Sequence, residues 1–95
     1  MKIAVRFFTN LREITGKREE TLTFADGEGV TLNRVVKILT EEYGKDFADY
    51  VYDVKTHEIR GFLQFLVNGK NAVGGLMTYL SDGDVLAILP PVGGG

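Results

Sequence analysis

TLNRVVKILTEEYG, residues 31–44, is the stretch that decides the fold. Its apolar residues recur with the period of an α-helix, so they share one face of it. They are Leu32, Val35, Val36, Leu39 and Tyr43. The hydroxyl of Thr31 is suited to cap the helix N-terminus, and Gly44 is typical of the position just beyond a C-terminus. The pattern predicts one amphipathic helix with a single buried face.

Alternating segments before this helix predict two strands. In KIAVRFF, residues 2–8, Ile3, Val5 and Phe7 lie on one face of a strand, and the residues between them lie on the other. EETLTF, residues 19–24, alternates in the same way. The segment between the two indicates a loop with a single helical turn. We expect the strands to pair antiparallel, as a hairpin with a long loop.

Further strands follow the helix. FLQFLVNGKNAV, residues 62–73, predicts a strand, a turn at Asn68 and Gly69, and a short returning strand. GGLMTYL, residues 74–80, predicts a loop with a helical turn. VLAIL, residues 85–89, predicts the last strand, because the prolines that follow it cannot donate a ladder hydrogen bond.

Residues 45–61, KDFADYVYDVKTHEIRG, have the weakest pattern. Phe47, Tyr50 and Val51 predict a short amphipathic turn. VKTHEIR, residues 54–60, predicts a short edge strand or one arm of a hairpin.

The order of the elements predicts the architecture. Two strands, one helix and then more strands favour an α+β roll, in which one main helix packs across one face of a mixed sheet. The first and last strands are expected to lie side by side in parallel. We expect a single domain over residues 1–89, followed by a flexible tail, residues 90–95.

The composition excludes several classes of function. The chain has 95 residues, a net charge of −2 and no cysteine. A weakly acidic chain is not suited to bind nucleic acid or an anionic membrane directly. The absence of cysteine excludes disulfides, a catalytic thiol and thiolate metal sites. No apolar run approaches a signal peptide or a membrane span, so a cytoplasmic location is expected.

The ionisable residues predict no catalytic site and no metal site. His57 is the one histidine, and it lies in a polar segment that indicates an exposed loop. Three carboxylate pairs are explained by structure, because strand neighbours point apart, a helix end is solvated and turns favour Asp. They are Glu19 with Glu20, Glu41 with Glu42, and Asp82 with Asp84.

The tail is the remaining candidate for chemistry. The sequence closes with LPPVGGG, residues 89–95. A terminal carboxylate becomes an acyl donor once an enzyme joins it to AMP, provided that it reaches deep into that enzyme and is uncrowded. Glycine at Gly94 and Gly95 meets both conditions, because it has no Cβ. Pro90 and Pro91 would stiffen the exit from the last strand. A frayed end is the alternative reading of the same residues.

Three motifs resemble the MoaD and ThiS family of ubiquitin-like sulfur carriers, which includes archaeal small modifier proteins. They are KIAVRFFTNLRE, residues 2–13, VNG, residues 67–69, and SDGDVLAILPPVGGG, residues 81–95. FFTNLRE and the double proline are more similar to MoaD than to ThiS. Gly93 and the long segment 45–62 differ from compact bacterial carriers, and the latter is closer to the archaeal modifiers.

The resemblance implies a β-grasp fold and a mechanism. A partner that resembles ubiquitin-activating enzymes would use ATP to adenylate Gly95, and a sulfur donor would convert it to a thiocarboxylate. The tail would then enter a MoaE-like large subunit for molybdopterin synthesis. The chain itself would bind no cofactor and would act as a small enzyme subunit or protein cosubstrate. The tail residues expected to contact partners are Pro90, Pro91, Val92, Gly93 and Gly94.

Three other roles stay open at this point. The chain could instead be a ubiquitin-like modifier that is joined to target lysines through Gly95. It could carry sulfur for tRNA thiolation or for thiamine. It could also be a binding module with an idle tail. The sequence does not name the final acceptor.

The strands also predict a surface for partners. FLQFLVNG, residues 62–69, has apolar residues on both faces, and Phe8 is out of step with the core residues of the first strand. One face must fill the core beneath the helix. The other is either covered by local loops or exposed to a partner. We expect Phe8, Leu66 and Ile88 to contribute to this exposed patch.

Overall fold

A five-stranded mixed sheet and three helices make up the computed structural model, which describes residues 1–90. The strands are β1 (Lys2–Phe7), β2 (Glu19–Thr23), β3 (Gln64–Val67), β4 (Lys70–Asn71) and β5 (Val85–Leu89). The helices are α1 (Asn10–Thr15), α2 (Leu32–Tyr43) and α3 (Lys45–Val51), and a single 3₁₀ turn spans Gly75–Met77.

The strand order is β2-β1-β5-β3-β4, so β5 lies in the centre of the sheet. β1 and β5 run parallel, with Ala4 opposite Val85 and Phe7 opposite Ile88. The other pairs are antiparallel. The predicted hairpin and the predicted pairing of first and last strands are both confirmed. A parallel pair needs a long crossover, and the helices of the chain lie within it.

α2 packs on one face of the sheet, as its pattern predicts. The Oγ1 of Thr31 accepts a hydrogen bond from the Arg34 N–H at 3.3 Å, and Gly44 ends the helix with φ of 80°. Four apolar residues of the predicted face are fully buried: Leu32, Val35, Val36 and Leu39. Burying each such side chain contributes about 1.5–3 kcal/mol before entropy is counted. The sheet side of this core comes from Ile3, Val5, Phe7, Leu86 and Ile88.

Two short helices complete the core. α1 buries Leu11, and α3 buries Phe47 and Val51. The sequence predicts only a helical turn in each place, so the structure extends both predictions. Tyr43, the last residue of α2, links β1 to α3, because its ring packs edge-on against Phe7 at 6.0 Å and stacks on Phe47 at 5.9 Å.

Residues 54–60 do not form the edge strand that is one of the two predictions. The alternative, one arm of a hairpin, is confirmed only at Ile59, which pairs antiparallel with Tyr52 in an isolated bridge, and the residues between the two form turns. The carboxylate of Asp53 accepts hydrogen bonds from the N–H groups of Lys55, at 2.8 Å, and Thr56, at 3.1 Å. An Asp side chain that binds the backbone two and three residues ahead competes with strand pairing.

The hairpin between β3 and β4 turns at the predicted residues. Asn68 and Gly69 both have positive φ, 52° and 83°, which a type I′ turn requires. The Asn68 side chain fixes this turn to the sheet: its Oδ1 accepts from the Val85 N–H and its Nδ2 donates to the Asp84 carboxylate, each at 2.9 Å. Within residues 1–90, no helix has the length and apolarity needed to cross a membrane.

Candidate functional site

The base of the tail lies at the end of the central strand. Leu89, the last residue of β5, is paired with Gln64 of β3, and the half-buried Pro90 follows it. Because β5 is hydrogen-bonded on both sides, this exit point is held in place from two directions. The remaining tail residues named above, Pro91, Val92, Gly93, Gly94 and Gly95, lie outside the described residues.

The sheet face opposite α2 surrounds this exit, and we call it the open face. It is formed by the strand residues that alternate with the buried ones. In one row across the sheet, Arg6 is opposite Ala87 and Ala87 is opposite Leu66. Ala87 and Leu66 are half-buried and Arg6 is exposed. The open face therefore presents small and medium apolar side chains beside the base of the tail.

Ile88 does not lie on the open face, and the prediction for it is wrong. Its side chain is fully buried beneath α2, in register with Phe7 and Phe65. In VLAIL every residue is apolar, so alternation alone does not distinguish the two faces. Pairing with β1 decides it, because Phe7 is a core residue and its neighbour in the ladder must face the same way.

Leu66 and Phe8 lie where a partner could reach them. Leu66 is half-buried on the open face, opposite Ala87. Phe8 is half-buried just after β1, beside the end of β5. Binding of a partner by these two residues stays a prediction.

Phe8 is flanked by two arginines that the sequence reading did not single out. The guanidinium carbons of Arg6 and Arg12 lie 5.6 and 5.5 Å from its ring centroid, within the range of cation–π contact. Arg12 Nε also donates to the Phe7 carbonyl at 3.0 Å. Arg6 and Phe8 are two apart on a strand, so their shared face could have been found from the alternation.

A second ionisable cluster joins β2 to the end of α2. The phenol of Tyr43 donates to the Glu20 carboxylate, and Lys17 Nζ lies 3.1 Å from Glu20 and 4.0 Å from Glu42. The hydrogen bond with Glu20 and partial burial raise the pKa of Glu42. Burial alone would raise the pKa of Glu20, but hydrogen bonds with Glu42, Tyr43 and Lys17 outweigh it and lower that pKa. Burial and the Glu20 carboxylate raise the pKa of Tyr43.

This cluster has a structural role. Glu42 is exposed at the end of α2, as predicted, and it also lies beside Glu20 of a different element, which raises its pKa. The two carboxylates flank no cavity described in residues 1–90. The hydrogen bond from Tyr43 to Glu20 ties β2 to α2.

Asp82 and Asp84 have the structural role that the turn pattern predicts. The Asp82 carboxylate accepts from the Lys2 N–H at 2.7 Å, and the Asp84 carboxylate accepts from the Ser81 N–H at 2.7 Å. Asp82 therefore binds the start of β1, and Asp84 closes the turn that precedes β5. Their contacts fix the end of the sheet opposite to the tail.

The described residues contain no arrangement that could hold a metal ion. His57 is exposed in a turn. Within residues 1–90, no three His, Cys, Asp or Glu side chains converge in a way that could hold a metal ion. A groove of about 420 Å³ lies beside the start of β3, lined in part by Arg60, Leu63 and Gln64. Its one cation, the Arg60 guanidinium, already donates to the Asp49 carbonyl.

Sequence comparison gives two relatives and one family. The ThiS family profile matches residues 5–95. Small archaeal modifier protein 3 of Haloferax volcanii is 30% identical over 97 aligned positions, which cover 100% of both chains. A putative sulfur carrier protein of Archaeoglobus fulgidus is 33% identical over 72 positions, covering 74% of this chain and 80% of that protein.

Structure comparison gives the same fold. Small archaeal modifier protein 1 of Methanosarcina acetivorans superposes with a TM-score of 0.81 at 32% identity, covering 99% and 96% of the two chains. Urm1 of Trypanosoma brucei superposes with a TM-score of 0.77 at 29% identity, covering 99% of this chain and 95% of Urm1. A chain of the BexX/CysO complex of Amycolatopsis orientalis superposes with a TM-score of 0.72 at 28% identity, covering 98% of this chain and 99% of that one. The predicted β-grasp, ubiquitin-like fold is confirmed.

Proposed function

Because this chain belongs to the ThiS family, whose members here are sulfur carriers and ubiquitin-like small archaeal modifiers, we propose that it carries sulfur as a thiocarboxylate on Gly95. The single observation that carries the proposal is the extent of the family match, which runs through the glycine tail to residue 95. The full-length alignment with the Haloferax modifier supports it.

The proposed chemistry has two steps. A Gly95 carboxylate oxygen attacks the α-phosphorus of ATP held by an adenylating partner, and pyrophosphate leaves. A hydrosulfide equivalent from a sulfur donor then attacks the acyl carbon, a C–S bond forms, and the C–O bond to AMP breaks. ATP is thus a substrate consumed by the partner. An uncrowded acyl carbon favours the second attack, because glycine has no Cβ.

The described body of the protein would present the tail rather than react. The base of the tail is fixed in the centre of the sheet, and the open face beside it presents Leu66 and Ala87 together with the exposed Arg6. Small apolar and aromatic patches of this kind are suited to a transient interface with a larger enzyme. This division of labour is consistent with the lack of a metal-binding cluster within residues 1–90. ATP-dependent activation also fits the expected cytoplasmic location.

For the acceptor, we propose molybdopterin synthesis, with this chain as the small MoaD-like subunit beside a MoaE-like large subunit. The proposal rests on the resemblance of residues 2–13 and of the double proline to MoaD. Thiolation of tRNA uses the same thiocarboxylate and is distinguished only by the acceptor supplied.

A second candidate function is conjugation to proteins. The full-length relative is a small archaeal modifier protein, which favours attack of a target lysine on the same acyl-adenylate. The two functions differ only in the nucleophile, sulfur or amine.

Mass spectrometry of the protein from its native cells tests both. A mass gain that corresponds to one oxygen replaced by sulfur supports the carrier, and lysines of other proteins that bear a glycine remnant support the modifier. A variant with one tryptophan added after Gly95 is the matched control, because it should show neither product. Neither product from the unmodified chain would refute the proposal. Conversion of the pterin precursor by the thiocarboxylate with a MoaE-like subunit tests the acceptor.

A further inference from the structure

The arginines beside Phe8 form a basic cluster on an acidic protein. The chain has a net charge of −2, yet Arg6 and Arg12 both lie against one aromatic ring. We call these three residues the Arg-Phe-Arg cluster. The cluster lies near the C-terminal end of β5, because Phe7, which precedes Phe8, is in register with Ile88. The cluster therefore lies beside the strand end from which the tail leaves.

The two guanidinium groups are not used by carboxylates of the described chain. Within residues 1–90, neither Arg6 nor Arg12 takes part in an ion pair. Glu19 is opposite Arg6 in the β1–β2 ladder, and both are exposed, but they form no salt bridge. By contrast, Lys17 and Arg34, the other two cations that lie against an aromatic ring within residues 1–90, each have a carboxylate partner.

The ring leaves the arginines ready for an acidic ligand. A guanidinium that lies against an aromatic ring keeps its N–H edge free, and that edge matches the two oxygens of a carboxylate. The hydrogen bond from Arg12 Nε to the Phe7 carbonyl orients one of the two groups further. The cluster is therefore partly preorganised, which lowers the entropy cost of forming a new ion pair.

We propose that the Arg-Phe-Arg cluster docks an acidic segment of the adenylating enzyme, with carboxylates bound to Arg6 and Arg12 and an apolar side chain on Phe8. This inference rests on the proposed function. Charge complementarity of this kind mainly accelerates encounter and fixes orientation. It would direct the tail of an acidic protein toward the enzyme although the net charge alone provides no attraction.

The test measures pyrophosphate exchange from ATP by the adenylating enzyme of the same organism, as a function of carrier concentration. We expect Arg6→Glu to raise KM by about tenfold and to leave kcat within about twofold, because the variant affects encounter rather than chemistry. Arg6→Lys keeps the charge and should recover most of the loss. Raising the salt to about 1 M should reduce the difference, because the screening length falls to about 3 Å.

Lys37→Glu is the matched control. Lys37 is exposed on α2, on the other side of the molecule, and it takes the same change of charge. Equal KM values for Arg6→Glu and Lys37→Glu would overturn the inference and leave the proposed function intact. No exchange with the unmodified chain would overturn the proposed function, and this inference with it. Arg6 makes no side-chain hydrogen bond within residues 1–90, so the variant should fold.

Discussion

The negative charge of Glu42 destabilises the folded protein at neutral pH. Its pKa is raised because Glu20 lies beside it, so the folded state binds the proton more tightly than the unfolded chain. Stability is therefore highest when Glu42 is protonated and falls as the pH rises above the unfolded pKa, near 4.5. The loss is complete once the pH exceeds the folded pKa. The neighbouring Lys17 offsets part of this penalty.

Replacing Glu42 with Gln should stabilise the protein at pH 7. The amide can donate to Glu20 without adding a second negative charge. Because Glu42 is 38% exposed, solvent screening limits the gain in the free energy of unfolding to roughly 0.5 kcal/mol. Urea unfolding at several pH values measures it, and the gain should disappear below about pH 4. Glu41→Gln removes the same charge from an exposed position, and an equal gain there would contradict the argument.

Asn68 combines a strained backbone with two hydrogen bonds. Asn68→Ala loses both hydrogen bonds, and alanine has no polar side chain to compensate for a φ of 52°. We therefore expect the free energy of unfolding to fall by about 2 kcal/mol. Asn68→Gly loses the bonds but accepts the φ, so the expected loss is about 1 kcal/mol. Chemical denaturation distinguishes them. If the two variants lose the same stability, backbone strain plays no part at this turn.

At the scale of elements, α2 is set by its own sequence and α3 is set by its neighbours. α2 has an N-cap, a clear apolar face and a C-terminal glycine. α3 has no side-chain cap and only a short apolar pattern, yet its Phe47 and Val51 are fully buried. Short helices are marginal alone, so the burial provided by the rest of the core is what stabilises α3.

The cap of α2 can be tested with a matched pair of threonines. Thr31→Ala removes the acceptor of the Arg34 N–H and should cost about 1 kcal/mol of unfolding free energy. Thr40→Ala, within the same helix, removes a hydroxyl that only donates back to the Val36 carbonyl, so it should change stability little or raise it slightly. Thermal unfolding by circular dichroism measures both. A larger loss at Thr40 would contradict this account of the cap.

At the scale of the whole molecule, the sheet separates stability from recognition. One face is buried by α2, and the open face surrounds the base of the tail. Because the two faces alternate residue by residue along β3 and β5, neighbouring positions have different duties. Leu66 and Ile88 lie on adjacent strands but on opposite faces.

Serine substitutions at these two positions should have opposite effects. Ile88→Ser creates a cavity and buries a hydroxyl, which should cost roughly 3–5 kcal/mol and unfold much of the protein. Leu66→Ser should cost under about 1 kcal/mol but raise the KM for adenylation. Denaturation and pyrophosphate exchange measure the two effects. A stable Ile88→Ser protein with impaired activation would show that the face assignment is wrong.

The sequence alone determined the local features of this protein. Periodicity and punctuation predicted α2, the turn at Asn68 and Gly69 and all five strands, because each depends on neighbours close along the chain. The resemblance of the tail and of residues 2–13 predicted the family, which the comparisons confirm.

Only the tertiary structure decided what depends on distant neighbours. Register with β1 placed Ile88 in the core, because an all-apolar strand carries no signal for its own orientation. Packing brought Glu42 to Glu20, and it placed Arg6 and Arg12 on one ring near the end of β5. Local pattern sets which conformation a segment adopts, whereas burial and charge contacts between remote segments exist only once the chain has closed on itself.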